Sequence, residues 1–421
     1  MAVNAPRLRL LHVCPRYNPA PGGVELFFSK LSATLAARGH QVSVWTTDAR
    51  ELRAFSRREG ATFPAGPSVI DGVAVRRFPV RHLPFRPWLM TAAHLLPLGP
   101  SWARSTFRWN PFVPSLAREV RTLGARFDIV HGAALPYSVL LDVARRAAAR
   151  AGARLVFSPF LHVGNPADPR QRVRRVYLSP TNVALLRQAD LVLVQTTVER
   201  DALSDAGVRP DRMRLVGMGV DEADCTGGDR VRGRARWGLS AAEPVVGHLA
   251  NKSADKGTVD LLLASARLRA AGVSFRLLLA GTAMRSYTEV WRHFTPKDHV
   301  VDVGELDDCE KRDFFSAIDV FVLPSYVESF GIALLEAAVN RVPAIAYDLG
   351  GPGEILHHDR TGVLVPPGDL AALERQIRRL SEDPPLRRRI GEAAAAMASG
   401  WSWARTIQAV EDAYRSLVPD S

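Results

Sequence analysis

Two glutamates in one short stretch of the chain have the spacing of a ligand-binding pair. Glu328 and Glu336 are separated by seven residues, and Phe330-Gly331 lies between them. Carboxylates accept hydrogen bonds from hydroxyl groups. The backbone amides of Phe330, Gly331 and Ile332 would open a helix, and amides at a helix start can hold a diphosphate. Two acids at this spacing also occur on ordinary surface helices, so the neighbouring residues decide between the two interpretations.

The flanking sequence predicts the elements that hold this pair. The apolar run from Val320 to Leu323 is typical of a buried strand, and Pro324-Ser325 ends it. A helix is predicted to begin near Gly331, and a second buried strand, from Pro343 to Tyr347, follows. This order places the intervening loop at the carboxyl edge of a parallel sheet, where open α/β sheets bind ligands.

The same stretch resembles the donor-site signature of the retaining glycosyltransferases of family four, which have the GT-B fold. The resemblance rests on Pro324-Ser325, Glu328, Phe330-Gly331, Leu335-Glu336-Ala337 and Pro343. It implies an α/β protein with two Rossmann-like, doubly wound domains facing each other across a cleft. It implies that Glu328 is a catalytic residue at the donor sugar and that Glu336 holds the nucleotide ribose. Four residues between these glutamates are expected to bind the donor: Ser329, Phe330, Gly331 and Ile332.

The length of 421 residues fits two domains better than one. We predict a first domain over residues 1–222 and a linker over 223–236, where CTGGDRVRGR is polar and rich in glycine. The second domain is predicted over 237–398. The resemblance implies that a last helix, within 399–421, crosses back to the first domain.

Candidate residues of the first domain follow its predicted strands. Gly22 and Gly23 stand directly before a helix, where glycine lets backbone amides approach a charged ligand closely. His162 follows the strand from Leu155 to Phe160, and His131 ends another strand. The resemblance implies that the glycines face the diphosphate and that His162 is a catalytic residue facing the reacting sugar. His131 is the weaker candidate, because Gly132-Ala133 follow it where a second histidine is usual.

The loop after the first strand of the second domain departs from the family pattern. Lys256 matches a lysine that neutralises the donor diphosphate, whereas His248 stands where an arginine is usual. We expect Lys252 to supply the missing charge, and we place all three residues at the donor. Met218 and Arg341 are further departures, because asparagine and glycine are usual at those positions.

The net charge of +12 is unevenly distributed along the chain. Residues 1–220 carry a net charge of +17 and residues 221–421 carry −5. Residues 72–118 contain seven arginines, no acid and many aromatic residues. This mixture favours contact with an anionic membrane surface, and an ordinary helix packed on the domain is the alternative. No nucleic-acid-binding module is recognised, so we expect no nucleic acid partner.

The sequence predicts transfer of a sugar from a nucleotide diphosphate sugar to an acceptor, and the resemblance implies that the anomeric configuration is retained. A glycan or a lipid-linked acceptor fits the basic first half. No metal cofactor is expected, because no Asp-x-Asp motif lies in a suitable loop. Three scattered cysteines and an amino-terminal apolar run too short for a signal peptide indicate a cytoplasmic protein, which membrane contact would place at the inner face. The alternatives are a nucleotide-sugar epimerase on the same fold and an inactive nucleotide-sugar-binding protein, with a nicotinamide dehydrogenase as a weaker one.

Overall fold

The computed structural model describes residues 6–82, 110–164 and 173–418. The chain divides into two compact units. The first comprises Met1–Leu161, Arg174–Val216 and Thr406–Ser421, and the second comprises His162–Val173 and Gly217–Arg405.

The first unit is built on a largely parallel sheet. Its described strands are β1 (Arg9–Val13), β2 (Gln41–Thr47), β3 (Gly66–Ile70), β4 (Val73–Phe78), β5 (Ile129–Ala133), β6 (Arg154–Ser158), β7 (Leu191–Val194) and β8 (Met213–Leu215). They lie in the order β3-β4-β2-β1-β5-β6-β7-β8, and β3 is antiparallel to β4. The described helices up to residue 216 are α1 (Gly23–Ala37), α2 (Pro114–Thr122), α3 (Ser138–Ala151), α4 (Val173–Tyr177), α5 (Pro180–Leu186) and α6 (Thr197–Asp205).

The second unit repeats the doubly wound plan. Its strands are β9 (Val245–Leu249), β10 (Arg276–Ala280), β11 (Val300–Gly304), β12 (Val320–Leu323), β13 (Ala344–Tyr347) and β14 (Val363–Val365). All pair in parallel in the order β11-β10-β9-β12-β13-β14, which is the strand order of a Rossmann sheet. The remaining helices are α7 (Glu222–Cys225), α8 (Arg230–Arg236), α9 (Thr258–Ala270), α10 (Arg285–His293), α11 (Asp308–Ala317), α12 (Ile332–Val339), α13 (Gly351–Ile355), α14 (Leu370–Glu382), α15 (Pro384–Ala398) and α16 (Trp403–Arg415).

Continuous apolar runs form the central strands because helices cover both faces of a doubly wound sheet. Every residue of β7 and β12 is buried, as the runs LVLV and VFVL predict. The predicted α/β class with two parallel-sheet units is therefore confirmed.

The segment predicted as a linker is partly helical. Residues Arg230–Arg236 form α8, and the side chain of Asp229 accepts a hydrogen bond from the Arg232 amide at its start. Arg232 pairs with Asp313 at 2.7 Å, which fixes the helix to α11. Gly228 and Gly233 are packing positions, because a Cβ there would lie 2.0 Å from the Arg312 carbonyl oxygen and 2.8 Å from the Asp313 carbonyl oxygen, respectively.

The end of α16, from Thr406 onward, is part of the first unit. Arg38 donates to Glu411 at 2.5 Å, and His40 Nε2 lies 3.2 Å from the same carboxylate. Burial opposes ionisation of Glu411, but its hydrogen bonds to Arg38, Arg415 and His40 outweigh this and lower its pKa to about 2. These contacts fix the helix against α1 and the loop that follows it.

Most of the arginine-rich segment 72–118 lies outside the described residues, which omit 83–109. Two of its described arginines have internal partners. Arg76 pairs with Glu119, and Arg77 donates to the Asn18 carbonyl oxygen at 2.6 Å. In the described part of the chain, no helix is long and apolar enough to cross a membrane.

Candidate functional site

Two loops of the second unit leave the sheet where its strand order reverses. β9 and β12 are neighbours, and the chain continues from them in opposite directions across the sheet. The crevice at such a switch point is the usual ligand site of an open α/β sheet. The loop after β9 carries Lys256, and the loop after β12 carries Glu328.

Lys256 and Glu328 form an ion pair across this switch point. Lys256 Nζ lies 2.8 Å from Glu328 Oε2 and also donates to the Val327 carbonyl oxygen at 2.8 Å. Their side chains are 20% and 15% exposed. Burial raises the pKa of Glu328, but the Lys256 ammonium, His162 and the Ser329 amide outweigh it and leave the pKa below its usual value. The site therefore holds a carboxylate and a cation that a ligand can reach.

His162 belongs to the second unit, and its imidazole interacts electrostatically with Lys256 and Glu328. Burial lowers its pKa to about 4, with Lys256 acting in the same direction and Glu328 opposing. The imidazole is therefore neutral near pH 7. Phe160, two residues earlier, has a left-handed φ of 49°, and the Leu161 amide donates to Glu199 Oε1 at 2.7 Å. These features restrict the backbone from which His162 projects.

Close backbone contacts hold the two loops together. Gly257 begins α9 with a φ of 66°, and a Cβ there would lie 1.8 Å from the Pro324 carbonyl oxygen. At the start of α13, Gly351 packs against the loop after β12 in the same way, because its Cβ would lie 2.3 Å from the Phe330 carbonyl oxygen. Only glycine permits these approaches, so the loops keep a fixed spacing.

The residues between the two glutamates form the start of α12. Gly331 has a φ of 96° and precedes the first helical residue, Ile332. Phe330 is buried, and its ring meets Trp401 edge-on at 5.3 Å between centroids. The Ser329 amide contributes to the field at Glu328. The amides at this start remain the predicted place for a diphosphate.

Glu336 lies one turn further along α12 and is 4% exposed. Its Oε1 accepts from Lys311 Nζ on α11. Lys311 was missed by the sequence analysis. One signal was present, since the chain has 55 basic residues but very few lysines, and three of those (Lys252, Lys256 and Lys311) hold carboxylates.

His248 and Lys252, both predicted to lie at the donor, have hydrogen-bond or ion-pair partners within the protein. His248 is fully buried, with Nδ1 2.8 Å from the Val322 carbonyl oxygen and Nε2 2.9 Å from Thr258 Oγ1. Lys252 is also buried and pairs with Asp302, and its Nζ lies 5.2 Å from the Tyr287 ring centroid. Both side chains brace the β9 loop through these contacts, and their place at the donor stays a prediction.

Gly22 and Gly23 begin α1 in the first unit, as predicted. Gly22 has a φ of 148°, and a Cβ there would lie 2.1 Å from Glu25 Oε2. Arg16, which the sequence analysis did not single out, pairs with Glu25 at 2.8 Å and donates to the Pro21 carbonyl oxygen at 2.8 Å. Among the described residues beyond its chain neighbours and its own helix backbone, none has an atom within 4 Å of the Cβ position at Gly23.

His131 is a core histidine of the first unit. Its Nδ1 lies 2.6 Å from Tyr414 Oη, and its Nε2 lies 2.9 Å from Ser158 Oγ. Burial lowers its pKa well below the usual value, and His12 acts in the same direction. This side chain ties β5 to β6 and to α16.

Two sequence families match the chain. The family described as glycosyl transferases group 1 matches residues 230–397, and a glycosyl transferase 4-like domain matches residues 22–219. The chain belongs to the group 1 glycosyltransferases. This finding favours a glycosyltransferase over the epimerase, the inactive binding protein and the dehydrogenase.

Individual relatives of this glycosyltransferase agree with the family. The D-inositol 3-phosphate glycosyltransferase of Saccharomonospora viridis is 28% identical over 437 residues, covering 97% of this chain and 93% of the relative. Sucrose-phosphate synthase from Thermosynechococcus elongatus superposes with a TM-score of 0.75 at 21% identity, covering 97% of this chain and 99% of that one. Anabaena HepE in complex with UDP-glucose has a TM-score of 0.73 at 21% identity, with 97% and 100% covered. The structural likenesses confirm the predicted GT-B fold class.

Proposed function

We propose that this glycosyltransferase transfers a sugar from a nucleotide diphosphate sugar to an acceptor hydroxyl and retains the anomeric configuration. The observation that carries the proposal is the Lys256–Glu328 ion pair, with His162 beside it, at the switch point of a Rossmann sheet. A cation there suits a diphosphate, and a carboxylate suits sugar hydroxyls. Retention follows from the resemblance to family four.

Each residue then has a distinct role in the reaction. Lys256 would leave Glu328 and contact the diphosphate, whose charge grows as the sugar leaves. The amides at the start of α12 would hold the same group. Glu328 would bind the donor sugar. His162 is neutral near pH 7, so it would orient the sugar by a hydrogen bond and not by a positive charge.

We propose an anionic acceptor, either a phosphorylated molecule or a lipid-linked glycan. The relative named above acts on D-inositol 3-phosphate, as its name states. The first half of this chain, with its net charge of +17, would attract such a group. Gly22 and Gly23 remain predicted contacts of the donor diphosphate.

The test of the main proposal is donor cleavage by the full chain. Purified protein would be offered a panel of nucleotide sugars with phosphorylated polyols and a lipid extract, and products would be identified by mass spectrometry. Release of a nucleoside diphosphate with a matching glycosylated product is expected, and the proton NMR coupling at the new anomeric centre should match that of the donor. Inverted configuration would contradict retention, and a new nucleotide sugar formed without acceptor would indicate an epimerase.

The variant Glu328→Gln separates binding from turnover. The amide keeps the size of the side chain but removes its charge, so donor binding should persist while product formation falls. Glu354→Gln, on α13 of the same unit, is the matched control and should keep turnover. Equal turnover by Glu328→Gln and wild type would remove the catalytic role of Glu328.

Two further expectations have direct tests. Turnover should survive excess EDTA, because the proposal includes no metal; loss of turnover restored by Mg²⁺ or Mn²⁺ would contradict this.

We also propose a cytoplasmic protein that is peripheral at the inner face of the membrane through residues 72–118. Flotation with vesicles should then require anionic lipid, and equal flotation with neutral vesicles would count against it.

A further inference from the structure

The ion pair between Glu336 and Lys311 in the second unit has polar groups that no described residue uses. Helix α12 has the sequence IALLEAAV, so Glu336 is its only charged residue. Lys311 of α11 approaches Glu336 Oε1, and no described residue donates a hydrogen bond to Oε2. The Lys311 side chain is 32% exposed, whereas that of Glu336 is 5% exposed. The pair therefore leaves one acceptor oxygen and part of an ammonium group for another molecule.

Stability does not explain this pair. Replacing a buried ion pair by apolar residues is often neutral or stabilising, because desolvation offsets the attraction. Lys311 also lies near the start of α11, where the helix dipole disfavours a cation. The position of Lys311 is explained instead by its ion pair with Glu336. The choice of lysine is unusual, because this chain uses arginine for most of its positive charges.

We propose that Lys311 is a specificity-determining residue that, with Glu336, forms a clamp for the two ribose hydroxyls of the donor nucleotide. The inference rests on the proposed function and on the place of Glu336 at the ribose, which the resemblance to family four implies. A vicinal diol has two hydroxyls that can each donate and accept. Glu336 accepts from one or both hydroxyls, and Lys311 donates to a hydroxyl oxygen through a proton that Glu336 does not use.

The surroundings of Lys311 make the clamp rigid. Asp307 and Glu310 form a capping box that fixes the start of α11. Phe315 on the same helix contacts Phe321 of β12, with ring centroids 5.7 Å apart. Burial opposes the charge on Lys311, but the Glu336 carboxylate outweighs it and raises the lysine pKa. The ammonium therefore stays charged, and its place relative to α12 is set before a ligand arrives.

The experiment compares ribose with deoxyribose in the full chain. Calorimetry would use whichever of UDP, GDP or ADP binds the wild type, together with its 2′-deoxy counterpart. The wild type should prefer the ribonucleotide by about tenfold, the worth of one good hydrogen bond. Lys311→Met should bring this preference close to one, and Lys311→Arg should restore part of it. Lys297→Met, which removes a lysine lying against Trp291, should keep the full preference.

The possible results distinguish failure of this inference from failure of the proposed function. Equal weakening of both nucleotides by Lys311→Met, with the preference intact, would show a structural role and overturn the inference alone. No binding of any nucleoside diphosphate to the wild type would overturn the proposed function as well. If Lys311→Met does not fold, the double variant K311M/E336Q removes both charges together. A preserved ribose preference in that variant would also overturn the clamp.

Discussion

The ion pair between Lys256 and Glu328 keeps two opposite charges ready in the protein without a ligand. Each partner satisfies the other at 2.8 Å, and both stay partly exposed. In the proposed function, a diphosphate would compete for the lysine with two charges and several oxygens, so binding would exchange one partner for another at little cost. The pair would then be the resting state of the site as well as a structural contact.

Lys256→Met should weaken donor binding by about 10- to 100-fold, because one charge-assisted hydrogen bond is worth about 1.5–3 kcal/mol. Calorimetry with the donor found in the panel measures this. Lys297→Met, an exposed lysine of the same unit, is the control and should bind as wild type does. Unchanged donor affinity in Lys256→Met would exclude its contact with the diphosphate.

Arg341 occupies a conformation that favours glycine. Its φ of 58° lies in the left-handed region, and it follows the end of α12. That conformation costs a non-glycine residue about 1–2 kcal/mol, which the greater chain entropy of glycine partly offsets. Arg341→Gly should therefore raise the free energy of unfolding by roughly 0.5–1 kcal/mol in a denaturant titration. Arg360→Gly, where φ is not positive, should lower the free energy of unfolding. An increase in both variants would instead point to the removal of a positive charge as the cause.

Matching the sequence to the family pattern placed three candidate residues that the structure brings near one another, but it did not predict the direction of every side chain. Glu328, Lys256 and His162 come together, whereas His248 and Lys252 turn into the protein. Matching a histidine to an arginine position assumes that both side chains point the same way. Histidine is shorter than arginine and costs less free energy to bury, so it can form hydrogen bonds inside the protein instead. His248 does so with the Val322 carbonyl oxygen and Thr258.

Among the elements, the strands were the most predictable and the glycine-rich segments the least. The predicted bounds of β12, Val320 to Leu323, coincide with the observed ones, because apolar runs must be buried. Helix α8 was predicted as linker because CTGGDRVRGR is polar and contains three glycines. Gly228 and Gly233 permit close packing on α11, and sequence alone does not distinguish that purpose from flexibility.

The contact between α9 and the loop after β12 gives a prediction for Gly257. Gly257→Ala should lower the free energy of unfolding by about 3 kcal/mol, since the new Cβ adds a clash with the Pro324 carbonyl oxygen to the left-handed strain. Gly272→Ala has a similar φ of 79° with open space around it. It should cost only about 1–2 kcal/mol, the strain alone. Equal losses in the two variants would mean that the loops do not depend on this contact.

At the scale of the whole molecule, histidines are the main acid-sensitive groups of both cores. Burial lowers the pKa of His12 to about 3 and that of His248 to about 4. The Val322 carbonyl oxygen opposes the shift at His248, whereas Lys252 and Lys256 add to it. In the unfolded chain these histidines become protonated as the pH falls through about 6.5, whereas in the folded chain they stay neutral at that pH. The stability that these neutral histidines contribute is therefore complete above about pH 6.5 and is lost as the pH falls toward 4.

His248 provides the sharpest test of this acid sensitivity. Each such histidine adds up to about 1.4 kcal/mol per pH unit to the slope of unfolding free energy against pH. His248→Gln should flatten the slope between pH 4.5 and 6 by about that amount in the transition of the second unit, even if the glutamine lowers stability at every pH. The slope is informative because lost packing is independent of pH, whereas a lost titration is not. His293→Gln, at an exposed site, is the control substitution. An unaltered slope in His248→Gln would mean that this histidine is protonated in the folded protein, and its bond to the Val322 carbonyl oxygen would then be one of two donated bonds.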